Sequence, residues 1–451
     1  MKEYSDQYIE DMRDIISRHD EAAARAELEQ MHPADIAALY QDLDLEEAEF
    51  LYRLLDEDTR ADVLMELDEE DRGKLLADMP AKEIATQIID HLDTDEAVDL
   101  IQELDADERD EILSHIDVEQ AGDIIDLLKY DEDTAGGLMG TEMIVVNENW
   151  SMPECIKQMR MQAEDMDEIY YVYVVDNEDR LKGILPLKTL ITHPSVSKIK
   201  HIMENDPVSV KADTPIDDVA LDFEKYDLVA MPVVDSIGRL VGRITVDDVM
   251  DQVRESSERD YQLASGLSSD VDASDSILAQ TKARIPWLLI GIVSGILASL
   301  ILTGFEAQLQ AVTTLAIFIP IIGGTGGNVG VQASAIVVQG LANGSLEIKE
   351  FAKQLWKEVR VGLLNAIIIS GVIMIYNLIM IPDDFAVTLS VSVSLFIVVM
   401  FATLLGTVVP LTLEKLHINP ALATGPFIQI SNDIVGLVIY VFISTQFLKI
   451  F

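Results

Sequence analysis

The chain has 451 residues, with 80 Asp and Glu against 32 Lys and Arg, a formal net charge of −48 and a hydrophobic fraction of 49%. That length predicts several domains. The charge excludes an ordinary binder of nucleic-acid phosphates, and the apolar content excludes an acidic disordered tail. One cysteine, Cys155, excludes a disulfide framework and a thiolate zinc cluster and suits a reducing compartment, and seven histidines leave little for a His-rich metal site.

In chain order, the first ten residues are polar, so no secretory signal is expected. From Leu43 an apolar–Asp or apolar–Pro pair recurs about every twelve residues: Leu43-Asp44, Leu55-Asp56, Leu67-Asp68, Met79-Pro80, Leu92-Asp93, Leu104-Asp105 and Ile116-Asp117. Asp is a good N-cap and Pro a good first-turn residue, so each pair reads as one helix ending and the next beginning. Short helices at a fixed period bury their apolar faces by stacking, which predicts an acidic helical domain over residues 1–130, with a superhelix or bundle from about residue 20. Its acids are capping and solvated residues or dispersed cation ligands. An EF-hand is excluded, because the loop starting at Asp93-Thr94-Asp95 has Val98 in place of glycine and Leu104 in place of glutamate.

Residues 137–255 carry a duplication. Val175-Asp176, Leu181, Gly183 and Leu185 repeat at an offset of 59 as Val234-Asp235, Leu240, Gly242 and Ile244. Met139, Ile144 and Val146 match Met203, Val208 and Val210 at an offset of 64. This strand-helix-strand-strand-helix unit resembles a tandem pair of α/β CBS domains, expected at 137–200 and 201–255. Many such pairs bind adenine nucleotides through a Thr and an Asp three residues later, which places Thr245 and Asp248 as candidates. The alternative is that these two cap the following helix. The first copy has Pro186 and Thr189 instead.

Residues 256–276 are rich in Ser, Asp and Gly and read as a polar connection, with helical character returning at 277–284. Together, 256–285 form a plug-like connecting helix and linker. Beyond it the charge collapses: residues 286–451 hold 8 acids and 6 bases, so nearly all of the net charge lies before them. Apolar runs at 286–303, 311–341, 361–381, 387–413 and 421–448 are each long enough to cross roughly 30 Å of hydrocarbon. Lys282, Arg284, Lys349, Lys353, Lys357, Arg360 and Lys415 fall on one side, while Glu306, Asp383, Asp384 and Lys449 fall on the other. Basic residues favour the cytosol, which predicts a cytoplasmic-membrane protein with a cytosolic acidic half and its carboxyl terminus outside.

Within the membrane half, Asp433 lies roughly 18 Å into its span. A charge there costs about 2.5 to 3.5 kcal/mol on the insertion scale, so it marks an ion pathway or a neutral carboxyl joining helices. The run Gly323-Gly324-Thr325-Gly326-Gly327-Asn328-Val329-Gly330 holds five glycines in eight residues. It reads both as close helix packing, Gly323 with Gly327 and Gly326 with Gly330, and as an unwound segment whose carbonyls and Asn328 line a cavity. One carboxylate per chain is enough for Mg2+, which keeps several waters and takes one or two carboxylates. Two copies would put two Asp433 carboxylates around one hydrated ion.

The order of helical superhelix, CBS pair, connecting segment and five spans resembles the MgtE family of magnesium channels and transporters. The resemblance is carried by His32-Pro33, Ala135-Gly136-Gly137-Leu138-Met139, Thr245-Val246-Asp247-Asp248-Val249, Pro320 with Gly324-Thr325-Gly326-Gly327-Asn328, and Asp433 with Gly436 and Tyr440. It implies a homodimer in membrane lipid, with no other obligatory protein partner. It implies Mg2+ influx through a central pore with Asp433 as selectivity carboxylate and Gly326, Gly327, Asn328 and Asn432 along it. It further implies closure by cytosolic Mg2+ at Asp95, Asp99, Asp227, Asp248, Asp251 and Asp260, with ATP or another adenine nucleotide at the CBS pair. The departures are Asn419, where some relatives carry Asp, and Ser256 and Arg259, where acids occur. The competing expectations are the same fold with Co2+, Ni2+ or Mn2+ as substrate, or a membrane-anchored sensor of Mg2+ or nucleotide. No phosphate loop, nucleophile–base pair or metalloprotease motif points to an enzyme.

Overall fold

The computed structural model describes residues 5–450 except 78, 164–165, 167–168, 195, 270, 272–274, 307–311 and 347–350. Lys349, used above for orientation, and residue 311, the start of the second apolar run, lie outside the described residues. The chain divides into two compact units, Met1–Gln252 and Val253–Phe451.

The first unit begins with ten helices: α1 (Asp6–Ser17), α2 (Glu21–Leu28), α3 (Pro33–Tyr40), α4 (Leu45–Tyr52), α5 (Glu57–Met65), α6 (Glu69–Leu76), α7 (Ala81–Gln87), α8 (Thr94–Glu103), α9 (Ala106–Leu113) and α10 (Val118–Leu127). The repeated pairs sit at their junctions. Asp44, Asp56 and Asp68 each accept a hydrogen bond from the backbone N–H three residues on, and Asp44 forms a full capping box with Glu47. Pro80 precedes α7. Three corners carry a second device that the periodicity did not reveal. Arg60, Arg72 and Arg109, each four residues past its Asp, donate back to the carbonyls of Leu55, Leu67 and Leu104 at 3.0, 3.3 and 3.3 Å. The guanidinium thus satisfies carbonyls left open where the preceding helix ends.

Two small sheets follow. β1 (Ile144–Asn147), β2 (Tyr171–Val175), β3 (Leu181–Pro186) and β4 (Glu204–Asn205) form one, in that order. β5 (Val210–Lys211), β6 (Ala230–Val234) and β7 (Leu240–Thr245) form the other. Each pairs its first two strands parallel and the next two antiparallel, and each shifts register at the same place of the repeat, Val174/Val175 and Val233/Val234. Helices α11 (Met152–Gln162) and α13 (Ile216–Tyr226) fill the crossovers, and α12 (Leu187–Thr192) and α14 (Val246–Ser265) close the two halves. The first sheet has its own core around Val172, Val174 and Leu185. The second shares one with the helical repeat, where Met231, Val233 and Ile244 belong to the same cluster as Leu100 and Ile101.

Residues 256–265 correct the sequence reading. They are helical, as the last ten residues of α14, rather than a polar connection. Nothing in that stretch breaks a helix, and Arg259 bridges Glu255 one turn back at 2.7 Å. The break falls at Gly266, with φ +86°.

Among the described residues, the second unit holds five helices long and apolar enough to cross a membrane. They are α15 (Ile277–Gly304), α16 (Ile319–Ala342), α17 (Phe351–Met380), α18 (Phe385–Lys415) and α19 (Gly425–Ile450). The glycine-rich segment is a second correction, since it lies inside α16 as continuous helix and is not unwound. Four of its five glycines are contact points, Gly324 being the exception. A Cβ at Gly326 would lie 2.7 Å from Val398 Cγ1 of α18, while Gly323, Gly327 and Gly330 face α19. Where α16 meets α18, a Cβ on Gly406 would strike the carbonyl oxygen of Gly330. We expect Gly406→Val to abolish a monodisperse detergent-solubilised protein, because a backbone atom must move. Gly362→Ala, which meets only the Thr403 side chain at 2.8 Å, should cost about 1–3 kcal/mol. Size-exclusion profiles and thermal unfolding of the two variants check this contrast.

Candidate cation sites

In the second unit the site is built by α16 and α19. Asp433 lies near the middle of the apolar span Pro420–Phe447 and is half-buried. A Cβ on Gly323 would be 3.2 Å from its Oδ1, so the carboxylate rests against the bare backbone of α16. Asn432, its neighbour, is fully buried, packed on Gly330, and neither of its amide atoms has a hydrogen-bond partner among the described residues. Asn328 lies on the exposed face of α16, whereas Gly326 and Gly327 are buried. Further along α19, Tyr440 donates to the carbonyl of Leu315 at 2.7 Å and fixes the helix against the segment before α16.

In the first unit, carboxylates converge at the start of α8. Oxygens of Asp93, Asp95 and Glu142 all lie within 4.8 Å of one another. Glu142 is held by the Thr94 N–H at 3.0 Å and the Thr94 hydroxyl at 3.2 Å, and Thr94 in turn accepts from the Thr141 N–H at 2.9 Å. Asp95 Oδ1 is buried with no hydrogen-bond partner among the described residues. Gly140 makes the approach possible, since a Cβ there would fall 2.9 Å from Glu142 Oε2 and 3.3 Å from Asp95 Oδ1. Arg243 lies nearby, 3.5 Å from Asp93 and 5.7 Å from the Tyr170 ring centroid.

Electrostatics mark this cluster as short of positive charge. Burial pushes Asp95 well above the usual carboxylate range, and Asp248, Glu142, Asp93 and Glu96 add to it. Burial, then Asp93 and Asp62, raise Glu96 to about 7. Asp248 is also raised by burial, against the opposing pull of Thr245, whose N–H and hydroxyl donate to it at 2.9 and 2.5 Å. Because these folded-state values exceed the unfolded ones, the cation-free fold holds extra protons, and stability falls as pH rises from about 4.5 toward 7. Thermal unfolding in a chelator should therefore occur at lower temperature at pH 8 than at pH 5.5, and divalent cation should recover the loss at pH 8.

Of the residues named from sequence, Asp95 and Asp248 meet here. Asp99 is exposed one turn beyond Asp95 on α8, Asp251 is exposed on α14, and Asp227 is the exposed left-handed C-cap of α13. Asp260 belongs to the second unit, where it accepts from Asn419 Nδ2 at 2.8 Å. Sequence reasoning missed Asp93 and Glu142 as partners. Their separation carries no metal-binding spacing, and only Gly140, next to the Ala135–Met139 motif, hinted at a close approach.

Comparisons with known families match three parts of the chain. Residues 31–133 match the family model described as the MgtE intracellular N domain, 135–195 and 199–255 match the CBS domain, and 319–443 match MgtE, a divalent cation transporter. The chain is 38% identical over 328 residues to the magnesium transporter MgtE of Thermus thermophilus, covering 72% of each chain. It is 30% identical to the protein of the same name from Bacillus subtilis, covering 71% of each. The chain belongs to the MgtE family. The chain superimposes on the crystal structure of the cytosolic domain of the Mg2+ channel MgtE in complex with ATP, with TM-score 0.51 and 34% identity, covering 53% of this chain and 98% of that one. The soluble part of a magnesium transporter matches with TM-score 0.50 at 30% identity, covering 56% and 98%.

Proposed function

We propose that this chain forms a Mg2+-conducting homodimer in the cytoplasmic membrane, with the first unit in the cytosol and the carboxyl terminus outside. The observation that carries the reading is Asp433, a carboxylate set midway along an apolar span against the bare backbone at Gly323. Mg2+ dehydrates reluctantly, so a permeating ion keeps its waters and needs acceptors for their hydrogens. Two Asp433 side chains across a dimer axis supply two charges and several acceptor lone pairs. Asn328 and the polar face of α16 extend that acceptor surface, with Gly326 and Gly327 keeping the helices close. Asn432, buried within one chain, takes a supporting part beside the pathway.

The carboxylate cluster at Asp95, Asp93, Glu142 and Asp248 is the proposed regulatory site. A cation bound there neutralises a buried like-charge group and selects the compact form, because only that form brings the carboxylates together. Asp99, Asp227, Asp251 and Asp260 provide further carboxylates for weaker cations. An adenine nucleotide at Thr245 and Asp248 is supported by the ATP complex of the cytosolic-domain relative. Here Asp248 already accepts two bonds from Thr245, so a bound ribose would have to share or displace them.

Liposomes loaded with a Mg2+-sensitive dye test the reading. Mg2+ influx is expected when internal Mg2+ is low and is expected to stop when internal Mg2+ is high. Preferred flux of Co2+, Ni2+ or Mn2+ over Mg2+ would favour the alternative substrate, and absence of any flux would favour the anchored sensor.

A further inference from the structure

We propose that Gln429 is a second selectivity-determining residue of the cation pathway, reading the ion's water shell one helical turn from Asp433. This rests on the assignment of Asp433 to the pathway. Positions 429 and 433 are four apart on α19, so they share a face. Each lies over a glycine of α16. A Cβ at Gly327 would stand 2.8, 2.9 and 3.0 Å from Nε2, Cδ and Oε1 of Gln429, and one at Gly323 would stand 3.2 Å from Asp433 Oδ1. The near-equal distances show the carboxamide lying flat on the Gly327 backbone. Two glycines one turn apart therefore admit two polar heads one turn apart. Both heads are half-buried, at the edge of the helix seam, whereas Asn432 between them in sequence is fully buried.

The spacing suits one hydrated ion. With Mg–O at about 2.1 Å and a water-to-acceptor distance of about 2.7 Å, an acceptor sits roughly 4.5 Å from the ion. Two acceptors on adjacent octahedral waters are then about 6.4 Å apart, close to the rise of one helical turn. A carboxamide adds an acceptor without a second negative charge, which lets the ion be recognised and still leave.

The test uses Mg2+ influx into liposomes together with block by hexaamminecobalt(III), whose six fixed ammines imitate a water shell that cannot be shed. Gln429→Leu should lower Mg2+ influx and weaken block, each by roughly tenfold. Gln429→Asn should restore part of the block, and Gln429→Glu should tighten it while slowing influx. A packing role alone would not order the block in this way. If wild type conducts, Asp433→Ala does not, and Gln429→Leu and Gln429→Asn both match wild type in influx and block, this inference is overturned while the Asp433 assignment stands. If Asp433→Ala conducts normally, both fall.

Discussion

Asp433→Ala should reduce Mg2+ influx by a factor on the order of 100 or more, with the protein still inserted and dimeric. Each charge-assisted hydrogen bond from an ion's water to a carboxylate contributes about 1.5–3 kcal/mol, and a dimer loses two. Two such losses exceed the 1.4 kcal/mol that separates each tenfold step in rate or affinity. Asp433→Asn is the sharper variant. It keeps the size of the side chain that rests against Gly323 while removing the charge, so helix packing should survive. A carboxyl that merely joins helices would tolerate this change, and wild-type influx through Asp433→Asn would refute the pathway role. Matched elution profiles and thermal unfolding of the two variants separate lost conduction from lost folding.

Asp95→Asn should act with opposite signs on two measurements. Asp95 is half-buried beside Asp93, Glu142, Glu96 and Asp248, and its buried Oδ1 has no hydrogen-bond partner among the described residues. Neutralising it removes a desolvated like charge, so the chelator-treated protein should unfold at a higher temperature, by several degrees for about 1–2 kcal/mol. The stabilisation that Mg2+ confers on wild type should largely disappear, and the internal Mg2+ needed to stop influx should rise roughly tenfold. Thermal unfolding of the full chain with and without Mg2+ reads both effects. A lower unfolding temperature in chelator, or an unchanged Mg2+ response, would remove Asp95 from the regulatory site.

The repeated Asp residues and the two matching CBS strands were legible because each acts locally. An N-cap bonds three residues away, and a strand shows its period within five or six residues. Residues 256–265 were misread because Ser and Asp are ambiguous between loop and exposed helix. Only the position of Gly266, with its left-handed φ, locates the break. The glycine run in α16 misled for a related reason. Glycine reads as flexibility from sequence, yet here it makes room, and what fills the room comes from about 70 to 110 residues further along the chain.

The helical repeat, the duplicated α/β unit, the five apolar spans and the isolation of Asp433 within one of them can all be read along the chain. These rest on periodicity, hydropathy and the cost of a charge in hydrocarbon, all properties of contiguous chain. The net charge of −48, read whole, excluded nucleic acid and little else. Only tertiary structure decided which of its carboxylates matter together. Asp93 and Asp95 meet Glu142, and Asp95 meets Asp248 153 residues away, while Gln429 joins Asp433 because two glycines of another helix admit both. The physical reason is that charge density can be counted along a chain, whereas the desolvation and mutual repulsion that call for a cation arise only where folding brings separate segments into contact.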